Sequence, residues 1–313
     1  MIEKISTLNM SHEDWLEHRR HSIGGSDAAT IVGLNPWSSQ YELWADTLGK
    51  IPQKEENEAM RIGHDVEGYV AKRFCEATGK KVRRENSILR DPKLPFAHAN
   101  VDRMIVGEKA GLECKTTSVL NLKRFAAGEY PANYYVQCQH YMMVTGYDTW
   151  YLAVLVLGRE FLHFEVKRNE EDIEALMQAE KEFWEYVDKQ EEPPVDGTSS
   201  CSDTLDKLYP DSDPDVEIDL SPLTDALTQR SELCRQIKAL EEQKKACENS
   251  VKDYMETAGK GCCEGYKVSW KTQERISFDS KQLQADHPEI DFSKYCKTTL
   301  SRILRITEVN TNG

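Results

Sequence analysis

The stretch Val101–Lys115, VDRMIVGEKAGLECK, narrows more than any other what this chain can become. Apolar residues around Ile105 and Leu112 flank Gly107–Gly111, which predicts two strands joined by a turn. Glu113 and Lys115 are two apart, so in a strand they share one face, and Cys114 between them points to the opposite, core face. A half-buried strand with a carboxylate and an ammonium on one face, and Asp102 on its neighbour, has a chemical use. Two carboxylates hold a hard divalent cation such as Mg²⁺ through oxygen. A lysine beside them orients or deprotonates a water, or stabilises a phosphate oxyanion. That combination suits metal-assisted phosphodiester hydrolysis. The triplet alone is short, and a surface hairpin with a cross-strand salt bridge fits it too.

Upstream, Ser11 predicts the cap of a helix through Arg20, with Asp14 three residues on. SIGGSDAA follows at 22–29. Gly24-Gly25 allows a tight turn, and Ser26 or Asp27 then caps a short helix that runs to about Leu34 and breaks at Asn35-Pro36. A glycine turn entering a helix makes an anion site from backbone N–H groups and a hydroxyl. Arg19 and Arg20 just upstream offer the cationic partner, although an ordinary capped helix would use the same residues. A short helix is expected over 39–48 and a long one over 57–78, closed by Gly49 and Gly79. On the long helix Met60, Val66, Val70 and Phe74 mark an apolar face. Gly63 and Glu67 are i,i+4 neighbours there, so Glu67 faces either a cleft opened by the missing side chain or solvent.

Lys80–Arg84 has four basic residues in five and predicts a strand with a basic face. Segments 96–101 and 110–116 are expected to complete a meander with the strand at Asp102. Helices follow over 119–127 and 131–145, the second carrying Gln137 and Gln139. DTWYLAVLVL at 148–157 is the most apolar run and predicts a central strand. Residues 160–167 should pair beside it, and 169–189 read as an amphipathic helix.

Composition matters once nucleic acid is considered as a partner. A net charge of −14 argues against a nonspecific nucleic-acid coat. The charge is uneven, however: residues 196–220 hold eight Asp/Glu against one Lys/Arg, half of the excess. Nine scattered cysteines without a Cys-x-x-Cys pair argue against a zinc knuckle or a disulfide framework. No signal-peptide or membrane-length apolar run is visible, and a cytoplasmic location is expected.

Four motifs now stand in order: Arg19 through SIGGSDAA, Gly63 through Glu67, Asp102 with Glu113-x-Lys115, and the Tyr-x-x-Gln-x-Gln-x-x-Met run from Tyr134 to Met142. Together, over roughly residues 12–190, they resemble the YqaJ-type viral recombinase family. This is the lambda-exonuclease-like branch of the PD-(D/E)xK nucleases. Val101 stands where the motif name has proline.

The resemblance implies an α/β (α+β) fold, a mixed central sheet flanked by helices with a restriction-endonuclease-like core. It implies that Asp102 and Glu113 bind Mg²⁺, with Mn²⁺ as a substitute, and that the Cys114 main-chain carbonyl adds a ligand. Lys115 would position the attacking water, with Glu67 as a further acid near the metal and Gln137 orienting the site. Arg19 and Ser26 resemble a pocket for a 5′-terminal phosphate. The implied activity is 5′→3′ exonucleolysis of linear double-stranded DNA, leaving 3′ single strands for a RecT/Bet-type annealing protein. Toroidal trimers threaded by DNA belong to the same picture. A structure-specific or nicking endonuclease, or a non-catalytic DNA-end-binding protein, are the competing readings.

The resemblance leaves the C-terminal third uncovered. The expected organisation is a nuclease domain at 1–192, an acidic linker at 193–219 and an extension at 220–313. Within the extension, residues 220–258 place Leu223, Leu227, Cys234, Ile237, Leu240 and Val251 mostly at steps of three or four. That predicts a long helix with one sticky stripe, interrupted by Arg230 and Lys244, that serves self-association or a partner. A hairpin over 265–276 and a small α+β tail should follow.

Overall fold

The computed structural model of the chain describes residues 2–53 and 56–308. Contacts divide the chain into two units, Met1–Pro210 and Asp211–Gly313. In the first, β1 (Glu3–Ser6) precedes α1 (His12–Arg20), α2 (Gly25–Ile31), α3 (Gln40–Thr47) and α4 (Glu58–Thr78). Then come β2 (Val82–Arg84), β3 (Ser87–Arg90), β4 (Arg103–Ile105) and β5 (Ala110–Thr117). A kinked 3₁₀ segment, Val119–Gly128, leads to α5 (Ala132–Thr145), β6 (Thr149–Val156), β7 (Glu160–Lys167), α6 (Glu170–Lys189) and α7 (Ser199–Leu208).

Five strands form the central sheet in the order β2-β4-β5-β6-β7. The β5–β6 pair is parallel and the other pairs are antiparallel, so the sheet is mixed as expected. Alternation along β6 builds both faces. Trp150, Leu152 and Val154 point into a core with Cys138 and Met142 of α5, while Tyr151 and Ala153 point into a second core with Val70 and Phe74 of α4. The sheet is therefore covered by helices on both sides. Gly111 lies opposite Trp150 in the parallel register, and a Cβ there would come within 2.1 Å of the indole. Only glycine lets β5 and β6 close at that point.

Several local signals act as read: Ser11 caps α1 through its side chain, and Gly79 ends α4 in the left-handed conformation. Ser39 and Asn57, where the next two helices were expected to begin, cap α3 and α4 in the same way. Others need correction. The cap of α2 is Gly24, not Ser26 or Asp27; Asp27 sits three residues into the turn and its Oδ2 accepts the Gly24 N–H at 3.0 Å. Segment 96–101 is not a strand. It makes only single bridges, Ala97 to Ile23 and Ala99 to Leu89, and β3 instead pairs with β1 across 81 residues of chain.

The expected linker at 193–219 contains α7, which belongs to the first unit. Cys201 and Thr204 are fully buried, and Cys201 packs in a core with Tyr41 and Trp44 of α3 and Phe183 of α6. In the second unit, α8 (Thr224–Met255) is a single helix of 32 residues. The hairpin that follows is β8 (Lys260–Cys263) with β9 (Tyr266–Ser269), earlier than the expected 265–276. The expected α+β tail holds a helix, α9 (Ser280–Asp286), and a 3₁₀ turn, Phe292–Tyr295; residues 300–306 form no regular element.

Candidate active site

Asp102 occupies the residue before β4, and β5 carries Glu113 and Lys115 beside it. The Asp102 Oδ2 accepts the Cys114 backbone N–H at 2.7 Å, which fixes the carboxylate against the edge of β5. Glu113 and Lys115 share a face, as their spacing requires: Lys115 Nζ lies 2.6 Å from Glu113 Oε1. Cys114 turns to the other face and joins the α4 core.

From α5, Gln137 Nε2 donates to Glu113 Oε1 at 2.8 Å and to the Tyr141 hydroxyl at 2.8 Å. The second oxygen of Glu113, Oε2, is buried with no hydrogen-bond partner among the described residues. Glu67 of α4 pairs with Arg103, whose guanidinium also donates to the Asp102 carbonyl at 2.6 Å. Glu67 and Asp102 line one cleft of about 290 Å³, together with Trp15, Arg84, Asn86 and Asn100.

Electrostatics mark this as an acid-crowded site. Burial first, then the charges of Glu113 and Glu67, hold the Asp102 carboxyl well above the usual carboxylate range. Burial alone would lower the Lys115 ammonium, but the adjacent Glu113 carboxylate outweighs it and the pKa is raised. The ammonium also sits 5.4 Å from the Tyr134 ring centre, a cation–π contact. Held by Glu113 and resting on Tyr134, Lys115 is placed to hold and orient a water.

The donor set fits a hard divalent cation. The carboxylates of Glu113 and Glu67 act on buried Asp102, and a buried oxygen of Glu113 has no hydrogen-bond partner among the described residues. Among the described residues no three His, Cys, Asp or Glu side chains form a ready-made metal cluster. A main-chain oxygen such as that of Cys114 would complete the two-carboxylate set.

The Arg19 region forms a neighbouring cleft of about 550 Å³, lined by Arg19, Arg20, Asp27, Met60 and His64 and sharing Trp15 with the first. Arg19 Nη2 donates to Ser26 Oγ at 3.2 Å and lies 3.4 Å from Asp27 Oδ1, with the guanidinium 5.1 Å from the Trp15 ring centre. The structure thus joins Arg19 to Ser26, and Asp102, Glu113, Lys115 and Gln137 to one another, with Glu67 on the wall of the Asp102 cleft.

Sequence reasoning passed over Trp15, Asp27, Arg103 and Tyr141. For Arg103 a signal existed: an arginine entering a short apolar strand must be buried with an acidic partner. For Tyr141 the signal was its place one turn beyond Gln137.

A family model described as the YqaJ-like viral recombinase domain matches residues 14–148. A Bacillus subtilis (strain 168) protein described as uncharacterized protein YqaJ is 42% identical over 306 residues, spanning 96% of each chain. The fold is similar to that of an alkaline exonuclease, LHK-Exo from Laribacter hongkongensis. The TM-score is 0.50 at 18% identity, over 57% of this chain and 93% of that one. LHK-Exo in complex with dAMP gives the same TM-score and coverage at 19% identity.

Proposed function

The chain belongs to the YqaJ-like viral recombinase family, and from that premise we propose that it is a Mg²⁺-dependent exonuclease that degrades linear double-stranded DNA from its 5′ ends. The observation that carries this reading is Glu113. One of its oxygens is held by Gln137 and Lys115, the other is buried with no hydrogen-bond partner among the described residues, and its charge acts on Asp102.

Asp102 and Glu113, with the Cys114 carbonyl, would hold the cation. Bound there, Mg²⁺ supplies Lewis acidity toward the scissile phosphate and a more acidic water. The remaining steps belong to side chains. The Cys114 N–H keeps Asp102 in place, and Gln137, itself anchored on Tyr141, fixes the rotamer of Glu113. Lys115 holds the attacking water and stabilises negative charge on the phosphoryl oxygens. Arg103 pins Glu67 at the edge of the cleft. Arg19 and Ser26, joined by a hydrogen bond, would take a 5′-terminal phosphate, which supports the 5′→3′ reading.

Complete removal of one strand leaves a 3′ single strand, the substrate of a RecT/Bet-type annealing protein. The ring-shaped trimer of the family resemblance would supply processivity by topology, so an acidic surface is no obstacle. No described helix is long and apolar enough to cross a membrane, and the cytoplasm is the proposed location.

The test compares end-labelled linear duplex with a covalently closed circle, with Mg²⁺ and with excess chelator. The linear DNA should lose 5′ mononucleotides only with metal, and the circle should stay intact. Glu113→Ala should lower the rate by at least about 100-fold, the scale of losing transition-state stabilisation, while leaving the melting curve cooperative. Cutting of the circle would replace this reading with an endonuclease. A fully active Glu113→Ala protein would remove the site itself.

A further inference from the structure

The second unit has almost no core of its own. Among its described residues only Met255 is buried. Its main element, α8, carries a regular seam. Leu223, Arg230, Ile237, Lys244 and Val251 recur every seven residues, and Ala226, Leu233, Leu240, Cys247 and Tyr254 do the same three residues later. The steps alternate three and four from end to end, the a/d spacing of a coiled coil. The seam is bare: Leu233, Ile237 and Leu240 are 48%, 54% and 62% exposed. At 1.5 Å per residue it is about 48 Å long, and an exposed stripe of that length, apolar except at Arg230 and Lys244, is an interaction surface.

The two basic seam residues decide what covers it. In a parallel pair of copies each first-set residue faces its own counterpart, so Arg230 would meet Arg230 and Lys244 would meet Lys244 inside the seam. In an antiparallel pair centred midway between Ile237 and Leu240, no basic residue meets another. Arg230 then lies against Cys247 of the second copy, Lys244 against its Leu233, and Ile237 against its Leu240. Small Ala226 meets Val251, so volume is balanced along the seam. Among antiparallel registers, this is the one that engages every seam position.

The charges agree with it. Glu248 lies 3.9 Å from Lys244 on its own helix and follows Cys247, so it flanks the layer that receives Arg230 from the other copy. In that pairing the Lys244 stem would cover Leu233 of the second copy while its ammonium reaches outward.

We propose that α8 pairs antiparallel with α8 of a second copy of this chain, joining two first units or two assemblies of them. The inference rests on the seam and not on the activity proposed above. Its test uses the full chain. Light scattering of the wild type and of the double variant Ile237→Glu, Leu240→Glu should show the particle mass halved, with the thermal transition of the first unit unchanged. An unchanged mass, or a wild-type chain that is already monomeric at micromolar concentration, overturns the proposal. Orientation is read separately by mild oxidation. Arg230→Cys should give a covalent dimer that disappears when Cys247→Ser is added. A dimer of the otherwise wild-type chain that is lost in Cys247→Ser would mean a parallel pair and overturn the antiparallel one.

Discussion

Arg19 has partners before any ligand arrives. Its guanidinium rests on Trp15, donates to Ser26 and faces Asp27, and Asp27 in turn holds the Gly24 N–H. A terminal phosphate must therefore displace a carboxylate to gain the arginine, which discriminates against weaker, uncharged ends. Arg19→Ala should slow attack on 5′-phosphorylated ends about 10- to 100-fold, the scale of a charge-assisted hydrogen bond, and attack on 5′-hydroxyl ends much less. Equal losses on both ends would count against a phosphate pocket.

Beneath the same turn lies His98, fully buried, with Nδ1 2.9 Å from Ser22 Oγ. Burial is the main reason that its pKa falls to about 3, with the Asp27 carboxylate opposing and His140, Arg19 and Arg90 assisting. An unfolded histidine titrates near pH 6.5. Between the two values the unfolded chain binds more protons, so this group removes stability as pH falls from about 6.5 toward 3. His140 has the opposite sign. Burial would lower it, but the buried Glu180 2.6 Å away raises it, so its contribution is complete below about 6.5 and is lost as pH rises through the folded value. His98→Asn keeps a group for Ser22 and no proton to gain. It should flatten the acid limb of stability by up to about 1.4 kcal/mol per pH unit, one proton's worth. Urea titrations between pH 4 and 7 would read this directly, and an unaltered slope would rule it out.

Gly25 couples two elements that the sequence places far apart. A Cβ at Gly25 would come within 2.5 Å of the Tyr141 ring, and the Tyr141 hydroxyl holds Gln137 against Glu113. The Gly-Gly pair thus does more than turn the chain: it lets α2 lie directly on α5. Gly25→Ala should push Tyr141 away, cost about 1–3 kcal/mol as an overpacked core does, and lower kcat through the loosened Gln137. Gly24→Ala meets the His98 ring and the Asp27 carboxylate at 3.2 Å or more, a tight contact but not an overlap, and should be milder. A Gly25→Ala protein with wild-type stability and rate would show that the contact yields freely.

This coupling also explains what could be read in advance. The shared face of Glu113 and Lys115 was legible because strand alternation settles it. The cap of α1 was legible because it is a bond between neighbours in sequence. The β1–β3 ladder, the Arg103–Glu67 pair and the Gly25–Tyr141 contact were not, because each depends on which elements meet in space. In α7 a short amphipathic signal at Cys201, Leu205 and Leu208 was masked by the acidic and Ser/Thr-rich composition around it.

At the scale of the whole chain, the position of α7 moves the place where the molecule can be cut. The composition of 193–219 suggested a cut after Glu192, but that cut removes a helix whose Cys201, Leu205 and Leu208 cover Tyr41 and Trp44. Those two rings are each 1% exposed. Ser200 would go as well, and with it the hydrogen bonds to Ser39 and Glu42, the latter at 2.7 Å. Uncovering two or three large side chains costs about 1.5–3 kcal/mol each, a large part of the 5–15 kcal/mol, roughly, that holds a domain folded. A chain ending at Glu192 should therefore melt well below the full chain or aggregate. A chain ending at Pro210 keeps α7 and its contacts, and it loses only the exposed acidic segment and the second unit. It should melt cooperatively at the temperature of the first unit in the full chain and retain metal-dependent nuclease activity. Thermal denaturation and end-labelled DNA digestion of the two truncated chains, side by side, measure both outcomes. Equal stability of the two would mean that α7 is dispensable, and loss of folding in both would mean that the first unit does not stand alone.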